Sequence, residues 1–222
     1  MHIGLIVGIG PAATDFYYRR LIATLAAKGV PLELTMAHAD TPTLLRNQAE
    51  GNVAAQVAIY ARLTARLHQA GAGAVAVTSI AGHFCIEAFK TVSPLPVIDL
   101  LAEVDRGLTA RGLKRVGIIG TRVVMQTRFY DAARTTEAIA PRGTMLDAVH
   151  EAYVAMAAAG IVTPAQRQVF FDAGRALMQD GAEAVMLGGT DLALAFTGQD
   201  PGFPIFDCAG IHADAIAEVA AA

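Results

Sequence analysis

The sequence predicts an α/β protein built from two pseudo-symmetric halves, each a parallel sheet covered by helices. Three observations carry that expectation. Apolar strand-like runs alternate with amphipathic helical ones along all 222 residues, the pattern that right-handed crossovers between parallel strands require. A hydrophobic fraction of 54% with 6% aromatics suits strands buried on both faces. The motifs also repeat in order. GLIVGIG (4–10) pairs with VGIIGT (116–121), AVAVTSIAGH (74–83) with AVMLGGTDLA (184–193), and PVIDL (96–100) with PIFDC (204–208). All three pairs share an offset of about 110 residues, so one half of the chain echoes the other.

Taken in chain order, the first half reads as strands at 4–10, 33–40, 74–80 and 95–100, and the second as strands at 116–121, 144–149, 184–190 and 203–208. The run at 144–149 is the weakest of the eight. Between them lie helical stretches such as VAAQVAIYARLTARLHQA (53–70) and PAQRQVFFDAGRALMQDGA (164–182). In the latter Val169, Phe170, Ala173, Leu177 and Met178 recur at helical spacing. The expected boundaries are 1–98 plus 208–222 for the first half and 99–207 for the second, the C-terminal helix returning to the first. With no Pro- or Ser-rich linker, the halves are expected to form one compact unit with a cleft between them. Ligands of open α/β sheets bind beyond the carboxyl ends of strands, so that cleft is the expected ligand site.

Composition narrows the function. A net charge of −3 leaves no basic footprint for nucleic acid. Apolar runs are broken by Gly, Thr or charge well before membrane-spanning length. The opening MHIGLIVGIGP reads as a strand entering a turn, without the basic region and cleavage site of a signal peptide. Two cysteines, Cys85 and Cys208, are too few for a disulfide framework or a zinc site. The expectation is a soluble cytoplasmic protein with no nucleic-acid partner, no membrane partner and no bound metal.

The strand ends hold the candidates for chemistry. In GIGPAAT (8–14), Gly8 and Gly10 shape a tight turn and Pro11 takes the first helical position. The following amides and the Thr14 hydroxyl suit a carboxylate or phosphate. The same letters contain G-x-G-x-x-A, a dinucleotide signature, but the motif is short and Pro11 removes one amide. Arg46, in TPTLLRNQAEGN (41–52), is either a carboxylate clamp or a solvated surface residue. In TSIAGHFC (78–85), Ser79 and His83 are either a serine–histidine nucleophile pair, with no identifiable acidic orienter, or a capping serine with a first-turn histidine. Cys85 reads as a small core residue. Gly120 and Thr121 form a second anion-receiving turn, with Arg122 either clamp or surface and Tyr130 core. Gly189, Thr190 and Asp191 follow the last long strand. Asp207, equivalent to Asp99, and His212 are polar ligand contacts or packing groups.

Together these residues resemble the aspartate/glutamate racemase superfamily over nearly the whole chain. GIGPAAT looks like that family's G-x-G-P-x-A-T opening, and VGIIGTRVVMQTRFY is close to its VGLLGTRxTMxQxFY segment. MLGGTDL matches ILGCTEL, and FDCAGIHADA its FDTTxIHAxA ending. The resemblance implies cofactor-independent chemistry in a homodimer. Two thiols of opposed position remove and return the α-proton of an amino acid, and thiolates suit the task because their pKa can be tuned towards neutrality. Here the first of those positions is Ser79 and the second is Gly189. The family's polar contacts to substrate become Ile80, Ala81 and Val124, which makes one wall apolar. Thr14, Arg46, Thr121 and Thr190, with the amides around Gly10 and Gly189, keep a carboxylate apparatus. The glycine at 189 is expected to let a ligand approach the backbone closely. Neither Cys85 nor Cys208 replaces the missing thiols by alignment, though Cys208 stands where the family often has Thr, after Asp207 at a strand end open to the cleft. These features imply a small carboxylate ligand with an apolar arm. Ser79 or His83 would move protons on one face, and water or Asp191 on the other. The alternatives are one-base isomerisation or decarboxylation, and a non-catalytic carboxylate-binding protein.

Overall fold

The computed structural model describes residues 1–8 and 10–222; Ile9, inside the glycine turn at 8–14, lies outside the described residues. The chain divides into two compact units, Met1–Leu100 with Gly210–Ala222, and Leu101–Ala209.

The first unit runs β1 (Ile3–Val7), α1 (Pro11–Ala27), β2 (Leu34–His38), α2 (Thr41–Ala49), α3 (Val53–Gln69), β3 (Ala74–Val77), α4 (Ile86–Val92) and β4 (Val97–Ile98). The second takes most of α5 (Leu100–Ala110), then β5 (Arg115–Gly120), α6 (Arg122–Gln126), β6 (Glu137–Ile139), α7 (Thr144–Ala159), α8 (Pro164–Gln179), β7 (Ala184–Gly188), α9 (Ala193–Phe196) and β8 (Ile205–Phe206). Helix α10 (Cys208–Ala221) ends the chain. The sheets have orders β2-β1-β3-β4 and β6-β5-β7-β8, and every pairing is parallel. Strands 1, 3, 5 and 7 are the central ones, and all but Arg115 of their residues are buried. That burial is why they read as continuous apolar runs instead of alternating ones.

Helix α3 buries Gln56, Tyr60, Leu63, Thr64 and Leu67, and α8 buries Phe170, Ala173, Gly174 and Leu177. Both are stripes at helical spacing. Helix α8 opens with a reciprocal capping box between Thr163 and Gln166, with Pro164 in its first turn.

One expected strand is absent. Residues 144–149 are the first turns of α7, and the edge strand is the three-residue β6 just before. Val149, Tyr153 and Met156 are the buried positions of α7, a spacing of four and three that only a helix turns to one side. Gly143, at φ 55°, sets the entry to the helix.

Helix α10 closes the first unit. Its His212 has zero exposure, with Nδ1 2.9 Å from the Tyr17 hydroxyl and Nε2 2.9 Å from the Ile98 carbonyl. Arg20 pairs with Asp214 through two hydrogen bonds, and the N-terminal ammonium donates to the Ala220 carbonyl.

Candidate functional site

Buried polar groups are costly unless partnered, so their placement is informative. Of the twelve buried polar or charged residues among those described, seven stand just past the carboxyl ends of strands. Thr78, Ser79 and His83 follow β3, Asp99 follows β4, Thr121 follows β5, and Thr190 and Asp191 follow β7. The candidates of the sequence therefore do collect at strand ends, within each unit.

In the first unit, β3 leads through Ser79 into a 3-10 turn at Ala81–Cys85. Ser79 is 3% exposed, and its Oγ accepts the Gly82 amide at 3.2 Å. His83 does not touch that hydroxyl. Its Nδ1 lies 2.6 Å from the Ser79 carbonyl, so the ring donates there and the link between the two residues is main-chain, unlike a serine–histidine nucleophile pair. Nε2 of His83 is buried with no hydrogen-bond partner. Burial first, and Lys90 next, lower its pKa against opposing pulls from Asp99 and the Ser79 carbonyl. The ring is held neutral, with one lone pair unused. Asp99 itself forms an ion pair with Lys90.

Helix α2 is fastened to this turn. Gln48 donates to the Ala81 carbonyl at 2.9 Å, and Asn47 donates to Gln56 on α3 at 2.9 Å. Arg46, two residues before Gln48, is exposed and has no ion pair among the described residues. Thr14 is differently employed than expected. Its hydroxyl accepts the Gly8 amide at 3.1 Å and donates to the Gly10 carbonyl at 3.3 Å, so it closes the turn. Gly8 and Gly10 need their glycines, with φ of 93° and 96°.

In the second unit, Thr121 caps α6 by accepting the Val124 amide. Arg122 is not a free clamp, since it pairs with Asp147 at 2.6 Å. Ile80 and Val124 are core residues with almost no surface, and Ala81 keeps 9%. Tyr130 is half-buried, and its neighbour Phe129 is the fully buried ring. Asp207 is half-buried. His212 has both ring nitrogens engaged inside the first unit, and burial, then His83, lower its pKa to about 3. It is a packing group.

Gly189 is occupied from outside. Its φ of −150° is ordinary extended backbone, so conformation does not call for glycine there. Space does. A Cβ on residue 189 would lie 2.2 Å from Cε2, 2.6 Å from Cζ and 2.8 Å from the hydroxyl oxygen of Tyr153. The close approach expected of a ligand is made by this phenol. Tyr153 reaches from α7 and donates to Asp191 Oδ2 at 3.2 Å. Burial, then the Asp191 charge, push its pKa well above the ordinary value.

Neither thiol is poised to ionise. Cys85 is 2% exposed and burial pushes its pKa up to about 12. Cys208 has no exposure, and burial with the nearby Asp207 pushes its thiol well above the ordinary range. Among the described residues no group of three His, Cys, Asp or Glu side chains is placed to hold a metal ion, and no helix is long and apolar enough to cross a membrane.

The sequence did not single out Tyr153 or Gln48. Tyr153 carries a weak signal, lying four residues after Val149 and three before Met156 on an apolar stripe, but reading 144–149 as a strand conceals the stripe.

Similar architecture occurs in solved structures. A candidate Asp/Glu racemase from Yersinia pestis is 24% identical, with each chain covered in full and a TM-score of 0.86. An aspartate racemase homologue from Pyrococcus horikoshii is 22% identical, with coverage of 100% and 99% and a TM-score of 0.82. Glutamate racemase from Francisella tularensis, solved with D-glutamate, is 15% identical, with coverage of 98% and 80% and a TM-score of 0.66. At these identities the likeness is one of fold. The profile of the Asp/Glu/Hydantoin racemase family matches residues 6–216, and the chain belongs to that family.

Proposed function

We propose that this racemase-family chain acts without a cofactor on a small carboxylate, moving a proton at its α-carbon. The observation that carries the reading is that within each unit buried polar groups stand past strand ends, Thr78, Ser79, His83 and Asp99 in the first and Thr121, Thr190 and Asp191 in the second. Some of these groups are spent on caps and ion pairs, and the rest are polar atoms kept buried at strand ends, where titratable groups of functional sites concentrate. In the first unit the proton-handling groups are Ser79 and the neutral His83. Asp191, past the end of β7, is the separate candidate within the second unit. Arg46 supplies the guanidinium for a ligand carboxylate, on a helix that Gln48 ties to the Ser79 turn. With both cysteines buried and protonated, two-thiol racemisation of aspartate is not the chemistry proposed. One proton movement, as in isomerisation or decarboxylation, demands less of these residues.

The test is α-proton exchange in deuterated water, followed by NMR, with L- and D-aspartate, L- and D-glutamate and a set of carboxylates with apolar arms. An apolar-armed carboxylate is expected to exchange or lose CO₂, and Ser79→Ala to slow it on the order of 10²–10⁴-fold. Aspartate exchange at about 1–10³ s⁻¹ would overturn the reading. A carboxylate that raises the melting temperature but never reacts would make this a binding protein on the same fold.

A further inference from the structure

Gly189 and Tyr153 are a matched pair. The phenol fills the volume that any side chain on residue 189 would need, and its oxygen lies 2.8 Å from where a Cβ would stand. The oxygen is thus delivered to the end of β7 by α7 instead of by the strand itself. It is also connected: Tyr153 is 7% exposed, and its hydroxyl donates to Asp191, which is 3% exposed. The phenol proton is committed to the carboxylate, while the Asp191 amide and the Thr190 hydroxyl face the oxygen and pull its pKa down against the larger effects of burial and the Asp191 charge.

We infer that Tyr153 is a further catalytic residue, relaying protons between the α-carbon of a carboxylate ligand and Asp191. The inference rests on the proposed proton transfer at that carbon. In the forward step the Cα–H bond breaks and its proton passes to Tyr153 Oη. The electron pair stays on the ligand, delocalised into its carboxylate. The phenol's original proton moves to Asp191 Oδ2, leaving a neutral phenol and a neutral carboxyl. The reverse transfers return a proton to carbon, so the pair ends as it began.

A relay does not require the phenol to ionise on its own. Burial and the adjacent carboxylate keep Tyr153 protonated, which excludes it as an independent base and leaves Asp191 as the terminal acceptor. Gly189 has a role in this account too. With any larger residue there, the ring could not stand where it does.

The experiment uses the full chain as wild type, Tyr153→Phe and Asp191→Asn. Tyr153→Phe keeps the ring and removes only the oxygen. Each protein is tested with L-aspartate, L-glutamate, phenylglycine and phenyllactate for α-proton exchange in deuterated water and for a shift in melting temperature. The relay predicts that whichever compound exchanges with wild type does so at least about 100-fold more slowly in both variants, while still raising their melting temperatures. Should Tyr153→Phe fail to fold, Asp191→Asn decides alone. Unchanged exchange in the variants overturns the relay. Loss of the melting shift together with exchange also overturns it, since the phenol would then hold ligand or fold. A wild type that is stabilised by a compound but exchanges none overturns the relay and leaves a carboxylate-binding protein. A wild type that neither binds nor exchanges any of them overturns the proposed function as well.

Discussion

At residue 189 the backbone is extended and would accept any L-amino acid, yet the ring of Tyr153 leaves no room for a single added carbon. The two positions are therefore coupled. Gly189→Ala is expected to destabilise the protein by about 1–3 kcal/mol, the usual cost of overpacking. In a Tyr153→Ala background the same change should cost much less, because the ring is gone. Urea midpoints of the four proteins in this cycle check it, and strictly additive costs would show that the ring yields freely. Sequence alone marks Gly189 as unusual by family resemblance, since a side chain is expected there. It does not say what fills the gap. Tyr153 is 36 residues earlier in the chain, and no local pattern links a helix stripe to a strand end that packs on it. The two histidines teach the same lesson. His83 and His212 read alike as polar candidates, but one keeps an unused Nε2 while the other is locked between Tyr17 and Ile98.

Among the elements, the turn after α6 departs furthest from expectation. Arg128, Phe129, Tyr130 and Asp131 all have φ between 49° and 63°, a left-handed run of L-residues costing roughly 1–2 kcal/mol each. The compensation is visible. Phe129 is fully buried and its amide donates to the Val124 carbonyl at 2.8 Å. The Thr127 hydroxyl accepts the Tyr130 amide at 3.0 Å, and the Asp131 amide donates to the Thr127 carbonyl at 2.9 Å. Phe129→Ala is expected to cost about 3–5 kcal/mol, read from urea denaturation. Arg128→Gly, at an exposed position of the same turn, should be neutral or stabilising. A loss of about 1 kcal/mol there, as for glycine inside an ordinary helix, would contradict the left-handed turn. Nothing in TRFYD signals this conformation, because these residues have no preference for it and tertiary burial of Phe129 imposes it. The weak run at 144–149 fails for a related reason. Six residues with apolar positions fit either period, and only the buried positions 149, 153 and 156 show which applies.

On the scale of the whole chain, the duplication is the governing fact. Two units repeat one strand order, and α10 brings the last thirteen residues back to the first unit, Gly210–Ala222. Its anchor, His212, creates a pH dependence with a definite sign. The folded pKa is about 3, against an ordinary 6.5, because burial disfavours the imidazolium. The unfolded chain therefore binds the extra proton first, and stability is full above about pH 6.5 and falls as pH drops from there towards 3. His83 shifts in the same direction. His212 contributes a slope of up to about 1.4 kcal/mol per pH unit in that window. Urea midpoints between pH 7 and 4, compared for wild type and His212→Phe, check this. The variant is expected to be less stable at pH 7 but with a shallower acid slope, and an unaltered slope would remove His212 as its source.

The sequence by itself determined the class of fold, the duplicated order and the central strands, since these follow from periodicities written along the chain. It also located the strand ends where the polar residues gather. Which of those residues are spent on the fold, and which keep an atom to offer, was decided only in three dimensions. A hydrogen-bond partner or a filled volume comes from whatever segment packs alongside, as α7 does against the end of β7, and that neighbour is set by the folded chain as a whole.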